Sequence, residues 1–502
     1  MSKVSPQAIK QTFTVPTDMP VTIASRCLIA ADVDRTILAQ TQSERTHFLQ
    51  HVAPKLLDSA RLGMKLAVVT GNSMSELTER FLKWLIDQLC HSDDLALLSQ
   101  FHFFCNSGGV YFRFPKNDFE ITTLLEPHQE KQRELTQEVL DLLTEVGNDG
   151  SRIIRPGFID AAYLARTQIP VDEAAAIRTV LEGCAERYHA DVVKRTTKLS
   201  KTYDLRKVSN GDELIKPTVD LRPVNYRVES ATLTAIVQLT LKPVLSFRHG
   251  RTSENEAQLF EKDLRTELIT AIQNELDKTG LGHYEARAGG RSSIDVTLEK
   301  LDKAYAMQFI IDHLNLQGQT RRRRRFGANA IYFGDEVIVG GGNDYPVTRI
   351  PGLLVFAVNP EKALIPFLSH VFVPSSILEG PEATADVLSE LNKVARDSLK
   401  ALNARGCDAD VSAPDLTVID RFKVKVFGER VQEKIGDLRR NKKISPDDWQ
   451  VLHAFVTLMH REDWAARHWL AILVDELDAI MTQVTEAPRI SLPAIGTSHS
   501  DN

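Results

Sequence analysis

The sequence predicts an α/β fold: a doubly wound parallel sheet, interrupted by an inserted α+β domain and followed by a helical extension. Three observations carry that prediction. Over the first third, short apolar runs alternate with amphipathic helical stretches, as in strand–helix–strand units with helices on both faces of a sheet. From about Tyr111 the pattern changes to longer helices mixed with period-two segments, and near residue 291 the short-run alternation resumes. Beyond about Ser375 the chain reads as mostly helical.

Taken in order, Met1–Pro20 is polar and lacks an apolar signal core, so residues 1–20 read as a flexible tail. Cys27–Ala31 is the first strand, about Ser43 to Leu62 is helical, and Lys65–Val69 is the second strand. Ser75–Cys90 is a helix for which Ser73 or Ser75 offers an N-cap. Leu97–Cys105 is a third strand-like run, which completes residues 21–110 as the first part of the core. Residues 111–290 form the insertion, with helices over Pro127–Val146, Val171–Tyr188 and Ser253–Lys278 and an alternating segment Thr232–Leu241. The second core part, 291–375, holds strands Ser293–Val296, Ala330–Phe333, Leu353–Ala357 and His370–Val373 and the helix Asp302–Asn315. Residues 376–490 are the helical extension, where Ser445-Pro446 marks a helix start and helices near Pro446–His460 and Asp463–Val484 close it. Residues 491–502 read as a disordered tail.

At 502 residues the chain exceeds one ordinary core, and 43% hydrophobic with 25% charged residues is a globular composition. A formal net charge of −6 makes no case for nucleic acid or an anionic membrane. No apolar run approaches the ~20 residues that span a bilayer. Five cysteines (Cys27, Cys90, Cys105, Cys184, Cys407) include no Cys-x-x-Cys pair. That argues against a zinc site or disulfide framework and for a reducing, cytoplasmic setting.

The residues that carry chemistry sit at the carboxyl ends of the core strands, where ligands bind in such sheets. Asp32-Val33-Asp34-Arg35-Thr36 follows the first strand. One carboxylate there can attack phosphorus while the other protonates a leaving oxygen and later deprotonates water. Alone, that pattern more often marks an Asx-rich turn. Thr70-Gly71-Asn72 follows the second strand, offering a hydroxyl donor and a close backbone approach. Lys303 opens a helix, where a fixed ammonium neutralises a nucleophile and a phosphate. Gly334-Asp335, followed by Gly340-Gly341-Gly342-Asn343-Asp344, adds hard oxygen ligands. Asp32, Asp34, Asp335 and Asp344 together form a candidate magnesium site.

In identity and order these four elements resemble the motifs of the haloacid dehalogenase-like phosphohydrolase superfamily. The resemblance covers about residues 25–110 and 290–375, and it implies a Rossmann-like core, an aspartyl-phosphate intermediate and Mg2+. Asp32 resembles that family's nucleophile, Asp34 its general acid/base, and Thr70 and Lys303 its phosphate-holding residues. Insertion after the third strand, through Asn106-Ser107-Gly108-Gly109-Val110-Tyr111, resembles members with a type-2 cap, many of which act on sugar phosphates. The stretch Gly289 to Val296, leading to Lys303, is similar to eukaryotic-type phosphomannomutase. By that likeness Ser293 and Asp295 touch the substrate; Gly71 and Asn72, beside Thr70, are read separately as substrate-binding residues. The insertion lacks the mutase's Arg-Asn-Gly-Met-Leu-Asn signature, Arg35 stands where the mutase has Gly, and Thr70-Gly71-Asn72 is more like the phosphatases. Its arginines, Arg206, Arg222, Arg227, Arg248 and Arg251, form no clamp motif.

The reading is therefore a magnesium-dependent phosphatase of a small phosphoester, with a phosphohexomutase and a scaffold on the same core as alternatives. No nucleic-acid or membrane partner is expected, and a homodimer is left open. Arg321–Arg325 precedes a strand and so lies at the opposite sheet edge, as a solvated or partner-facing loop. His453, His460 and His468 lack the spacing of a tight metal pair, and Trp449, Trp464 and Trp469 read as packing residues.

Overall fold

Apolar runs of four or five residues bounded by turn formers become strands in the computed structural model. It describes residues 8–12, 26–39, 43–92, 94–114, 120–124, 129–147, 150–200, 218–242, 254–289, 293–316, 329–338, 342–350, 353–358, 371–374, 378–403, and 418, 419, 422 and 426. The expected helices near Pro446–His460 and Asp463–Val484 and the arginine run lie outside these residues.

The first eight strands are β1 (Ala8–Thr12), β2 (Leu28–Ala31), β3 (Lys65–Val69), β4 (Phe101–Cys105), β5 (Val110–Arg113), β6 (Glu120–Leu124), β7 (Thr144–Val146) and β8 (Arg152–Ile154). The rest are β9 (Thr218–Val228), β10 (Ala231–Lys242), β11 (Tyr284–Gly289), β12 (Ser293–Leu298), β13 (Ala330–Gly334), β14 (Leu354–Ala357) and β15 (Val371–Phe372). The main sheet has seven strands in the order β15-β14-β13-β2-β3-β4-β5. Every pairing in it is parallel except the β4–β5 hairpin. From β2 the chain winds outward through β3 to β4, and from β13 it winds the other way to β15. The direction thus reverses between β2 and β13, where Leu28 pairs with Ala330 and Ala31 with Phe333.

Both faces of this sheet are covered, which is why its strands are continuous apolar runs rather than alternating ones. Leu28, Ala30, Ala67, Val69, Tyr332 and Val355 pack with Met307 and Ile310 of the Lys303–His313 helix on one face. Their neighbours Ile29, Val68, Phe103 and Ile331, which point to the opposite face, are also buried. Each of the valines, leucines, isoleucines, Met307 and Phe103 among them contributes roughly 1.5–3 kcal/mol by leaving water.

The inserted sheet has the order β11-β12-β10-β9, all antiparallel. Leu239, Leu241, Ile294 and Val296 on one face pack against Ile177 and Leu181 of the Val171–Ser200 helix and Leu268 and Ile272 of the Glu254–Lys278 helix. The other face carries Gln238, Thr240 and Asp295, all buried.

Four local outcomes differ from expectation. β12 belongs to this antiparallel sheet and not to the parallel core. The alternation Ser-Ile-Asp-Val-Thr-Leu is the period-two signal of a strand with one apolar face, and it outweighs the apolar residues that suggested a core strand. Val110–Arg113, which straddles the expected 110/111 boundary, adds to the core sheet as an antiparallel edge strand. Within the presumed tail, β1 pairs antiparallel with β6. The run from Leu97 begins as a 3-10 turn, Leu95–Gln100, before β4.

Between β4 and β5 the chain holds three successive left-handed residues, Asn106 (φ 51°), Ser107 (φ 54°) and Gly108 (φ 90°). Two are not glycine, so the turn survives only because its surroundings enforce it. Tyr163 Oη donates to Gly108 O at 2.5 Å and Thr167 Oγ1 to Gly109 O at 2.7 Å. The Tyr163 ring joins Phe104, Tyr111 and Phe309 in an edge-to-face cluster. Late in the chain, the Gly380–Asn403 helix is tied to the core by a buried exchange. Ser59 Oγ donates to Asn392 Oδ1 at 2.7 Å, and Asn392 Nδ2 donates to Lys55 O at 3.0 Å. Among the described residues no helix is long and apolar enough to cross a membrane.

Candidate active site

Ligands in open α/β sheets bind beyond the strand carboxyl ends, where the winding reverses. Here that point lies between β2 and β13, and the residues just past those strands are Asp32 and Asp335. The Asp32 amide donates to Phe333 O at 3.0 Å, locking the two loops together. Asp302 caps the helix that follows by accepting from Tyr305 N at 3.0 Å, and this sets Lys303 at the first helical position, fully buried. Its Nζ lies 2.9 Å from Asp32 Oδ2 and 2.7 Å from Asp344 Oδ1. Asp344 Oδ1 also accepts from Tyr332 Oη at 2.5 Å, and its Oδ2 from Glu336 N at 2.9 Å. Gly334 is required beside it, because a Cβ there would stand 2.6 Å from Asp344 Cγ.

One carboxylate oxygen from each of Asp32, Asp335 and Asp344 lies within 4.8 Å of the others. Three buried carboxylates thus face one buried ammonium. Arg35 adds a second, partly exposed cation, with Nη1 3.3 Å from Asp335 Oδ2. The imbalance registers on the acids. Burial pushes the Asp32 carboxyl up to about 7, against the pull of Lys303 and with Asp344 adding repulsion. Burial and the neighbouring Glu336, Asp344 and Asp32 likewise hold Asp335 well above the usual carboxylate range. Burial disfavours the Lys303 charge, yet Asp32 and Asp344 outweigh it and leave the ammonium firmly protonated. Asp32 Oδ1 is buried without a protein hydrogen-bond partner. An open carboxylate oxygen in a site short of positive charge fits a divalent cation. Asp32 and Asp335 have oxygens free to hold one, whereas Asp344 is engaged by Lys303, Tyr332 and the Glu336 amide.

The Asp34 side chain is not part of that trio. It is partly exposed and paired with Arg80, Nη2 to Oδ1 at 2.8 Å, while the same guanidinium nitrogen reaches Glu44 at 2.6 Å. Thr70 is buried, and its Oγ1 accepts from Asn72 N at 3.2 Å, which leaves its proton free to donate. Asn72 Nδ2 is buried with no partner. Gly71 lies under Asn343, whose Nδ2 a Cβ there would meet at 3.4 Å. From β9 in the insertion, Arg222 Nη1 donates to Gly71 O at 2.9 Å and lies 3.5 Å from Asn106 Oδ1. Asp295 sits on the inner face of the inserted sheet and accepts from Thr240 Oγ1 at 2.8 Å, while Gln238 Nε2 donates to Thr240 Oγ1 at 2.9 Å. Burial raises the Asp295 carboxyl, and Arg222 opposes the rise. Ser293 donates its hydroxyl to Gly289 O.

Sequence reasoning did not find Tyr332, Arg80, Gln238 or Thr240, and it could not rank Arg222 among the arginines of the insertion. Tyr332 was hidden inside an apolar run. A polar residue at an inward position of a buried strand was the available signal. Arg80 lies on an amphipathic helix, where a charged residue normally faces water.

The doubly wound, largely parallel sheet agrees with the Rossmann-like core that the haloacid dehalogenase-like resemblance implies. No family profile matches the chain. No curated protein matches it either. Among solved structures it is similar to the N-terminally truncated IMP-nucleotidase of Plasmodium falciparum, with 15% identity and a TM-score of 0.36, over 67% of this chain and 68% of that one. The chain thus spans about two thirds of that nucleotidase. It is also similar to the sucrose-phosphatase of Synechocystis, solved with sucrose and phosphate, at 11% identity and a TM-score of 0.35 over 73% and 97%. A third is the trehalose-6-phosphate phosphatase of Aspergillus fumigatus, at 13% identity and a TM-score of 0.33 over 75% and 97%.

Proposed function

We propose that the protein is a magnesium-dependent phosphoric monoester hydrolase acting on a small phosphorylated metabolite, a sugar phosphate in the first instance. The observation that carries this is Asp32. It is a buried carboxylate at the switch point, with one oxygen held by Lys303 and the other open, beside Asp335 and Asp344. In the proposed reaction one Asp32 carboxylate oxygen attacks phosphorus as the bond to the leaving oxygen breaks, giving an aspartyl-phosphate, and the other is left to the cation. Asp34, two residues on, donates the proton that the leaving oxygen needs and then takes one from the water that hydrolyses the acyl phosphate. Thr70 Oγ1 and Lys303 Nζ hold the phosphoryl oxygens, and Tyr332 and Asp344 keep Lys303 in place. A magnesium ion bound by Asp32 and Asp335 supplies charge neutralisation between the nucleophile and the incoming phosphate. The insertion selects the substrate through Arg222 and the polar face bearing Asp295 and Gln238.

A panel of phosphoesters assayed with magnesium tests the proposal. Phosphate release by the wild type, lost in Asp32→Asn while the circular dichroism spectrum is unchanged, is expected; full activity in the variant refutes the assignment of Asp32. Arg222 is the one observation that favours a phosphohexomutase, because a cation from the insertion can hold a second phosphate. Incubation of a hexose 1-phosphate with a trace of its 1,6-bisphosphate separates the two. Free phosphate marks the hydrolase, and a 6-phosphate product marks the mutase.

A further inference from the structure

The two cations at the site differ in kind. Lys303 is fully buried between two carboxylates and has nowhere to go. Arg35 is 26% exposed and spans from the loop after β2 to Asp335, with solvent behind it. Its backbone is unusual, because φ is 58°, left-handed for a non-glycine residue. The Gly380–Asn403 helix braces this bend. Gly380 (φ 56°) donates its amide to Val358 O at 2.6 Å, and a Cβ on it would stand 2.7 Å from Arg35 O. One turn on, Thr384 Oγ1 donates to the buried Thr36 O at 2.7 Å.

We propose that Arg35 is a tethered competitor for the divalent cation, held against Asp335 until the ion displaces it toward solvent. The inference rests on reading Asp32 and Asp335 as the ligands of a cation site. A guanidinium and a divalent ion seek the same carboxylate charge, so the ion binds only by the margin over the existing pair. The brace keeps the guanidinium near its partner, raising its effective concentration there. Cation affinity is thereby set by a side chain that ligates nothing.

Calorimetric titration with magnesium or manganese chloride, without substrate, tests this on the full chain, with thermal melting in graded metal as a second readout. Arg35→Gln removes the charge, and Arg35→Asn does so with a residue that tolerates left-handed φ. Both are expected to bind the ion about tenfold more tightly than wild type. Arg45→Gln, which removes a surface arginine paired with Asp87, is expected to change nothing, and Asp335→Asn is expected to lose binding. If wild type binds and the Arg35 variants bind no more tightly, the inference falls while the cation-site reading stands. If wild type does not saturate but the Arg35 variants do, the inference is supported. If none of them binds, both fall.

Discussion

Lys303 is the residue on which the charge balance of the site turns. It answers Asp32 and Asp344 at once, so a neutral replacement strands two buried carboxylates. Lys303→Met is therefore expected to destabilise the fold by roughly 3–5 kcal/mol, the cost of removing one partner of a buried pair. Urea denaturation measures that loss. Asp32→Asn, in contrast, is expected to lower phosphatase turnover by about 10^3-fold or more while leaving the fold intact, as steady-state assays would show. Asp32, Thr70 and Asp335 were legible in the sequence because each ends or follows a short apolar run, and such ends converge in a parallel sheet, whereas Lys303 was legible as the residue that opens a helix. Tyr332 and Arg80 were not, because their roles depend on which side chain stands opposite. That is a property of the fold and not of local spacing.

At the scale of elements, the insertion meets the core through Arg222, from the middle of β9 to the Gly71 carbonyl. Arg222→Ala is expected to raise KM several-fold with a smaller change in kcat, since it loosens closure over the site and removes no reacting group. The steady-state split between the two constants checks this. The Gly380–Asn403 helix offers a cleaner case. Asn392→Ala removes both hydrogen bonds that tie this helix to Ser59 and Lys55, which keep only the bond from Ser59 Oγ to Lys55 O, with an expected loss of about 1–3 kcal/mol in thermal or chemical denaturation. The core strands were legible because burial on both faces leaves an unbroken apolar run. β12 was misassigned because a four-residue reading, Ser293–Val296, hides the alternation that six residues reveal. β1 was missed because nothing in a polar tail says that β6 lies beside it.

Across the whole molecule, stability should depend on pH through His102 in the core sheet. Burial, aided by Lys65, Arg113 and His313, pulls its imidazole from 6.5 down to about 3, and Nδ1 lies 2.8 Å from Tyr111 Oη. The unfolded chain takes up a proton near 6.5 and the folded chain does not. This contribution is therefore full above that pH and erodes as pH falls from about 6.5 toward 3, by at most ~1.4 kcal/mol per unit. The raised carboxyls of Asp32 and Asp335 act in the opposite sense, favouring folding at lower pH. The His102 share is thus best isolated as the difference between wild type and His102→Phe across pH 4–7. A flatter profile in the variant is the expected result.

The reversal of winding between β2 and β13 also governs how the protein can be made. β2 lies at the centre of the finished sheet, yet its second neighbour emerges only after the whole insertion has been synthesised. Until then β2 offers a bare apolar edge, open to pairing with another copy. That interval on the ribosome runs from residue 31 to residue 330, across the synthesis of the whole insertion.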